Sequence, residues 1–254
     1  MFFRSAALAV LLVAPSYAQA PAKPEPSAAT LPDGREIVNR HVKAIGGREA
    51  VLSHKSMRLT GTFAMPKSGI SGPVEIFGAT GPDRVFVKMS VPGIGDIMEG
   101  FDGSHGWIVS PVTGPMLKVG KELQQVKLDA DFYGELRDPK KFIAVKTVEK
   151  TTFDNRPCYK VALSRIDGTE DFDFYDVATG LRAGGITTRE TAMGSLTVTS
   201  VVGGYKKFGN LMVATTQSQT VMGAEQTITL SSVEFDKVDA AAFAPPDPIK
   251  ALIK

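Results

Sequence analysis

Apolar and polar residues alternate along most of the chain beyond residue 56. In the first such stretch Met57, Leu59 and Phe63 occupy alternate positions, a period typical of a half-buried β-strand. Gly, Pro and Asp residues separate the stretches, and connections this short favour antiparallel neighbours. The predicted strands span residues 56–65, 72–78, 84–91, 96–101, 105–110, 142–150, 158–165, 171–176, 181–191, 195–205, 211–221 and 225–235.

Two regions depart from this alternation and predict helices. In the first, Asp33 is suited to an N-cap, Glu36 follows three residues later as in a capping box, and a Gly-Gly pair at 46–47 ends the helix. The fold class predicted from the whole pattern is mainly β (α+β), a single curved antiparallel sheet with a few helices. The predicted helices span 33–45, 48–53 and 121–129, with a further short one ending before Pro139.

The N-terminus has the pattern of an export signal. Arg4 precedes an apolar run at 6–14, and the small residues of Ala18-Gln19-Ala20 fit a cleavage site near Ala20. No cysteine lies at that point, so we do not expect a lipid anchor, and no later segment predicts a transmembrane helix in the mature chain. We expect a periplasmic protein organised as a signal peptide over 1–20, a Pro/Ala-rich linker over 21–32 and one domain over 33–254.

Composition removes several classes of function. The 254 residues carry 29 Lys and Arg against 27 Asp and Glu with no basic block, so a nucleic-acid partner is not expected. Cys158 is the single cysteine and there are three scattered histidines, so the sequence predicts neither a disulfide framework nor a metal site. We expect no cofactor.

The polar motifs do not predict catalysis. The chain lacks a phosphate-binding glycine loop and a nucleophile elbow. Asp171, Asp173 and Asp176 resemble an acidic cluster, but Phe172 and Phe174 alternate with the first two carboxylates, which predicts the water-facing side of a strand. We therefore predict no catalytic residues and no enzyme activity.

The apolar residues are more informative than the polar ones. Many of the nine methionines fall at strand positions, and methionine adapts to varied apolar shapes. A large apolar sheet face with few helices to cover it can leave a cavity for an apolar ligand. The alternative is that the same side chains form an ordinary packed core. The candidate lining residues are Met57, Leu59, Phe63, Val85, Val87, Met89 and Trp107.

A short motif resembles a known family. The segment GPDRVFV at 81–87 is followed by FDGSHGWIVSP at 101–111, in which Asp102, Gly103, Trp107 and Pro111 form the recognisable pattern. This pattern resembles the LolA-like fold of periplasmic outer-membrane lipoprotein carriers and of related lipoprotein-sorting-like exported proteins. Physically, Asp102-Gly103 suits a tight turn, Trp107 a buried mid-strand position in the core or the cavity, and Pro111 the end of a strand.

The resemblance, which covers roughly residues 37–246, implies an unclosed antiparallel half-barrel with an apolar concave face and helices as a lid. It implies a carrier or binding protein for a lipid or for lipoprotein acyl chains. A second reading is an envelope sensor or interaction module of the same fold, with another envelope protein as partner and no transport role. The carriers use an arginine to hold the lid, for which Arg58 and Arg84 are the candidates here.

Overall fold

A computed structural model describes residues 30–166, 168–191, 194–221 and 223–253. The signal peptide, most of the linker, Met193 and Met222 lie outside the described residues. Among the described helices, none is long and apolar enough to cross a membrane. The helices are α1 (Gly34–Ala44), α2 (Arg48–Ser53), α3 (Gly120–Asp129) and α4 (Asp247–Lys250).

The predicted start of the first helix is confirmed. The Asp33 carboxylate accepts hydrogen bonds from the backbone N–H groups of Arg35 (2.8 Å) and Glu36 (3.3 Å), which satisfies two of the free donors at the helix start. The buried face of α1 includes Val38, which has no exposed surface, and Ile37, which is 5% exposed. This face packs on the sheet and holds α1 in place.

Within the described residues, thirteen strands form one antiparallel sheet that does not close into a barrel, which confirms the predicted fold class. The strands are β1 (Ser56–Met65), β2 (Ile70–Ala79), β3 (Arg84–Val91), β4 (Gly95–Phe101), β5 (Gly106–Ser110), β6 (Gly114–Lys118), β7 (Phe142–Phe153), β8 (Arg156–Arg165), β9 (Glu170–Asp176), β10 (Arg182–Thr191), β11 (Gly194–Gly203), β12 (Lys206–Phe208), β13 (Leu211–Val213), β14 (Thr216–Val221) and β15 (Ala224–Phe235). The order of the strands in the sheet is β6-β5-β4-β3-β2-β1-β15-β14-β11-β10-β9-β8-β7, and β12 and β13 form a separate small hairpin.

Some elements differ from the predicted ones. The predicted strand over 211–221 is two strands, because β13 pairs with β12 while β14 pairs with β11 and β15. Strand β6 was missed, since its alternation is interrupted by Gly114 and Pro115. The short helix expected before Pro139 is a single 3-10 turn at Gly134–Leu136.

Helices α1, α2 and α3 lie on one side of the sheet, called here the inner face. Helix α1 packs against Val161 and Leu163 of β8 and Tyr175 of β9, each at most 1% exposed. Helix α3 covers the other half of the sheet, where Val126 packs against Phe101 of β4. The strands between these two contacts have less helix above them, and the candidate site lies there.

Candidate ligand-binding site

A cavity of about 440 Å³ lies between the inner face and the elements that cover it, and it is partly open to solvent. Its floor comes from β1, β2, β11, β14 and β15, and its roof from α1, α2 and the β12–β13 hairpin. The volume is within the range of small-molecule pockets, about 300–1,000 Å³. Its apolar lining consists of Ile45, Val51, Met57, Leu59, Ile76, Phe132, Val202, Leu211, Met212, Val213, Ala214, Ile228, Leu230, Val233 and Phe235.

Six of the seven predicted lining residues share the inner face, but only two of them line this cavity. The strand register places Met57 beside Gly78 and Val85, and Leu59 beside Ile76 and Val87. Met57 and Leu59 line the cavity.

The other residues on this face are packed instead. Phe63 is 2% exposed and forms a cluster with Val74, against which Val87 and Met89 pack. Val85 packs against the cluster of Phe101 and Val126.

The structure separates Trp107 from the other six residues. Trp107 lies opposite Gly100, which lies opposite Phe86, so these side chains belong to the outer face. Trp107 is fully buried, and a Cβ atom on Gly100 would lie 2.5 Å from its ring. We therefore leave Trp107 out of the candidate site.

Of the other residues of the family-like motif, Asp102 and Gly103 form the turn before β5, and Pro111 lies just after this strand. The Asp102 carboxylate accepts the backbone N–H groups of Ser104 and His105, both at 2.7 Å. Burial opposes ionisation of Asp102, but these hydrogen bonds outweigh it and lower the pKa of the carboxyl. Gly103 has φ +104°, a conformation that favours glycine, and Pro111 follows the last residue of β5.

A polar region of about 340 Å³ adjoins the apolar cavity. The two share Met57, Asp129, Phe132, Glu135, Arg182 and Gln217 as lining residues, so they are two ends of one site. The polar end lies over β10, β11 and β14. Its polar lining consists of Asp129, Asp131, Glu135, Arg137, Arg165, Arg182, Thr187, Arg189, Ser200, Gln217 and Gln219.

The expectation that Asp171 and Asp173 face water was wrong. Asp171 is 8% and Asp173 4% exposed, and both lie on the inner face. Asp173 accepts hydrogen bonds from Arg137 (2.8 Å) and from the Tyr175 hydroxyl (3.0 Å). A carboxylate can be buried in a strand when a cation is buried with it, and here Arg137 comes from the loop above the sheet.

That loop, residues 130–137, is called here the cover segment, and ion pairs attach it to the sheet. Glu135 pairs with Arg182 of β10 (3.1 Å) and accepts the Nε2 proton of His41 in α1 (2.9 Å). The Nδ1 atom of His41 accepts the backbone N–H of Arg182 at 3.2 Å, which places the ring proton on Nε2. Burial opposes ionisation of Glu135, but Arg182 and His41 outweigh it, and the pKa of its carboxyl lies well below the usual range.

The sequence did not indicate which arginine would hold the cover. Arg58 pairs with Glu75 at 2.6 Å and lies over the Phe77 ring, and Arg84 lies over the Phe243 ring. Both belong to the outer face, as the register of Phe77 with Arg58 shows. Arg137 and Arg182 make the contacts between the cover segment and the sheet, and no sequence motif marks them.

These features define a class of protein: an open antiparallel half-barrel that encloses a cavity between its inner face and a few covering helices. The chain has a LolA-like fold. It is similar to a LolA superfamily protein from Nitrosomonas europaea, with 13% identity and a TM-score of 0.52 over 85% of this chain and 99% of that one. It is also similar to a structure described as an outer membrane lipoprotein-sorting protein domain from Vibrio parahaemolyticus, with 12% identity and a TM-score of 0.53 over 87% and 97%. No family model and no curated protein matches the sequence.

Proposed function

We propose that this protein is a periplasmic binding or carrier protein for a lipid or an acylated protein. One observation carries the proposal: the apolar cavity of about 440 Å³ between the sheet and its helices. Its apolar walls suit an acyl chain, and its partial opening gives such a chain a way in. The shared fold with a lipoprotein-sorting domain supports the same class of ligand.

The hydrophobic effect supplies enough free energy for such binding. Roughly ten methylene groups buried at about 0.8 kcal/mol each contribute about 8 kcal/mol before the cost of ordering the chain. After that cost, the net affinity remains reversible, as a carrier requires. Met57 and Met212 on opposite walls can adapt to different chain shapes.

The charged groups around the cavity favour binding without chemistry. Glu135, Arg182, Arg137 and Asp173 are hydrogen bonded or ion paired to one another. A general acid or base needs a proton it can exchange with a substrate, whereas these groups stabilise the cover segment. The proposal therefore assigns them a structural role.

Native mass spectrometry of protein exported with its own signal peptide tests this proposal directly. We expect a complex with co-purifying acyl lipid, identified by extraction. Leu59→Asp places a charge in the cavity wall, and we expect a folded variant that carries no lipid. Val148→Asp is the matched control, because Val148 is 46% exposed on β7 and is not part of the cavity.

Two results would contradict the proposal. One is a parent protein that is free of lipid and binds no fluorescent fatty acid. The other is a Leu59→Asp variant that retains as much lipid as the Val148→Asp control. Protein found only in the cytosol would contradict the periplasmic location, which rests on the signal peptide predicted over residues 1–20.

An interaction module is the second candidate, and the open edges of the sheet support it. Edge strands β6 and β7 expose Met116 (45%) and Ile143 (72%), and an unpaired edge can add a strand from a partner. The experiment above separates the two candidates. A lipid-free protein that co-purifies with one envelope protein would favour the module.

A further inference from the structure

Three uncharged polar side chains line the polar end of the cavity. Gln217 and Gln219 of β14 line it together with Thr187 of β10. Within the described residues, the side chains of these three make no hydrogen bond to another residue. A primary amide offers two donors and one acceptor, so this wall has unused hydrogen-bonding capacity.

The strand register aligns these groups across the sheet. Gln219 lies opposite Ser200 of β11, and Gln217 lies opposite Val202. On its other side Gln217 lies opposite Ile228, which lines the apolar end. Gln217 therefore lies at the boundary of the two ends, between apolar Val202 and Ile228 on the neighbouring strands and next to Gln219 on its own strand.

Within the described part of the chain, every charged residue that lines the polar end is ion paired. Five cations and five anions form five pairs with N···O distances of 2.6–3.1 Å. These pairs are Arg137–Asp173, Lys141–Asp131, Arg165–Asp171, Arg182–Glu135 and Arg189–Asp129. An ionic ligand group would lose its hydration here without gaining a free counter-ion.

We propose that the ligand is an amphiphile with one hydrocarbon chain and an uncharged head rich in hydroxyl or amide groups. This inference rests on the proposed function and deepens it. The chain occupies the apolar end, between Leu59 and Val213, and the head lies against Gln217, Gln219 and Thr187. Monoacylglycerols and single-chain glycolipids are lipids of this class.

Lipids that share one chain and differ in their heads test the proposal. We would measure the dissociation constants of 1-lauroylglycerol, laurate and dodecyltrimethylammonium below their micellar concentrations by displacement of a fluorescent apolar probe. We expect 1-lauroylglycerol to bind at least about tenfold more tightly than either charged lipid, because only its head is bound without an ionic desolvation cost.

Two substitutions test the site itself. Gln217→Met and Gln219→Met keep the side-chain length and remove the amide, so each should weaken 1-lauroylglycerol binding roughly fivefold and weaken laurate binding less. The matched control is Gln226→Met, since Gln226 lies opposite Gln219 but outside the cavity lining. Thermal unfolding of each variant verifies that it is folded.

The outcomes separate the two proposals. A parent that binds all three lipids equally, or laurate most tightly, would overturn the uncharged head while leaving the apolar cavity supported. Unchanged 1-lauroylglycerol binding in both folded glutamine variants would also overturn it. A parent that binds neither the probe nor any of the lipids would contradict the proposed function as well.

Discussion

At the scale of single residues, Asp173 shows how the cover segment is attached to the sheet above the candidate site. Its carboxylate is 5% exposed and receives both the Nε and Nη2 groups of Arg137 at 2.8 Å. Burial opposes the charge on Arg137, but Asp173 outweighs it and the pKa of the guanidinium is raised well above its usual range. The pair joins the cover segment to β9 through a hydrogen bond and an ion pair.

Removing the Asp173 charge should destabilise the protein strongly. Asp173→Asn leaves the Arg137 guanidinium buried without a counter-ion, and we expect a loss of about 3–5 kcal/mol in the free energy of unfolding, measured by urea denaturation. The control Glu234→Gln removes an exposed pair with Lys237 and should leave the midpoint nearly unchanged. If both substitutions lowered the free energy of unfolding equally, the buried Arg137–Asp173 pair would not be what attaches the cover segment to the sheet.

His54 predicts a pH dependence of stability. Its Nδ1 lies 2.7 Å from Asp236 and its Nε2 2.7 Å from Asn210, and its ring stacks on Phe235 beside the cavity. Burial opposes the imidazolium, but the hydrogen bonds to Asn210 and Asp236 outweigh it and raise the pKa of His54 above its usual value of about 6.5. The protonated ring joins the β12–β13 hairpin to the end of β15.

A group with a raised folded-state pKa stabilises the protein fully below its unfolded pKa, and this contribution is lost as the pH rises through the folded pKa. His54→Gln should therefore destabilise the protein more at about pH 5.5 than at about pH 8.5. Urea midpoints of parent and variant at both values measure this difference. If His54→Gln lowered the urea midpoint equally at both pH values, or more at the higher pH, the raised pKa of His54 would be contradicted.

For single residues, the sequence predicted which face of the sheet a side chain lies on better than it predicted which groups pack around that side chain. Met57 and Leu59 could be placed on one face because the period of two fixes it. The burial of Asp173 could not be predicted, because it depends on Arg137, which lies 36 residues away in the chain. Pairing between residues so far apart in the chain leaves no local pattern.

At the scale of secondary-structure elements, Gly61 allows strand β1 to bend within the sheet. The register of β1 with β15 shifts between Thr60 and Gly61, and a Cβ atom at Gly61 would press directly on the Thr229 carbonyl oxygen. Such an irregularity increases the local twist and bends the strand. Close backbone approach at this point lets the sheet curve around the cavity.

Gly61→Ala should therefore destabilise the protein by at least about 1–3 kcal/mol, as overpacking against rigid backbone does. The matched control is Gly203→Ala in β11, where the nearest atom to a new Cβ is the Thr216 hydroxyl at 3.5 Å. Urea denaturation of both variants measures the effect. If Gly61→Ala were as stable as Gly203→Ala, the close approach would not govern the bend.

Element types followed from the sequence more often than element boundaries did. Strand β3 has the predicted bounds Arg84–Val91, because Pro82 and Asp83 precede it and Pro92 follows it. The break between β13 and β14 was missed, since Ala214 and Thr215 carry no turn signal. Tertiary pairing separates them, because Met212 donates its backbone N–H to the carbonyl of Ile45, the residue that follows α1.

For the whole molecule, the organisation over residues 33–254 as one domain remains a prediction. Helix α1 supports it, since Ile37 near the N-terminal end packs in the same cluster as Val161 and Leu211. Limited proteolysis of the exported protein should remove part of the 21–32 linker and leave one resistant fragment. Two stable fragments divided near 120–141 would contradict a single domain.

The central claim is that the space between the sheet and its helices is a ligand cavity and not an ordinary core. Filling it is the most direct test, and Val233 of β15, which lies opposite Leu59, is a suitable position. In a cavity, Val233→Trp has room for the larger ring, whereas in a packed core the same change costs about 1–3 kcal/mol or more. Val148→Trp on the exposed side of β7 is the control.

The measurement combines thermal unfolding with the binding of a fluorescent fatty acid. We predict that Val233→Trp melts at or above the parent temperature and binds the fatty acid at least about tenfold more weakly, while the Val148→Trp control binds like the parent. A Val233→Trp variant that melts far below the parent, or one that binds the fatty acid as tightly as the parent, would contradict the claim.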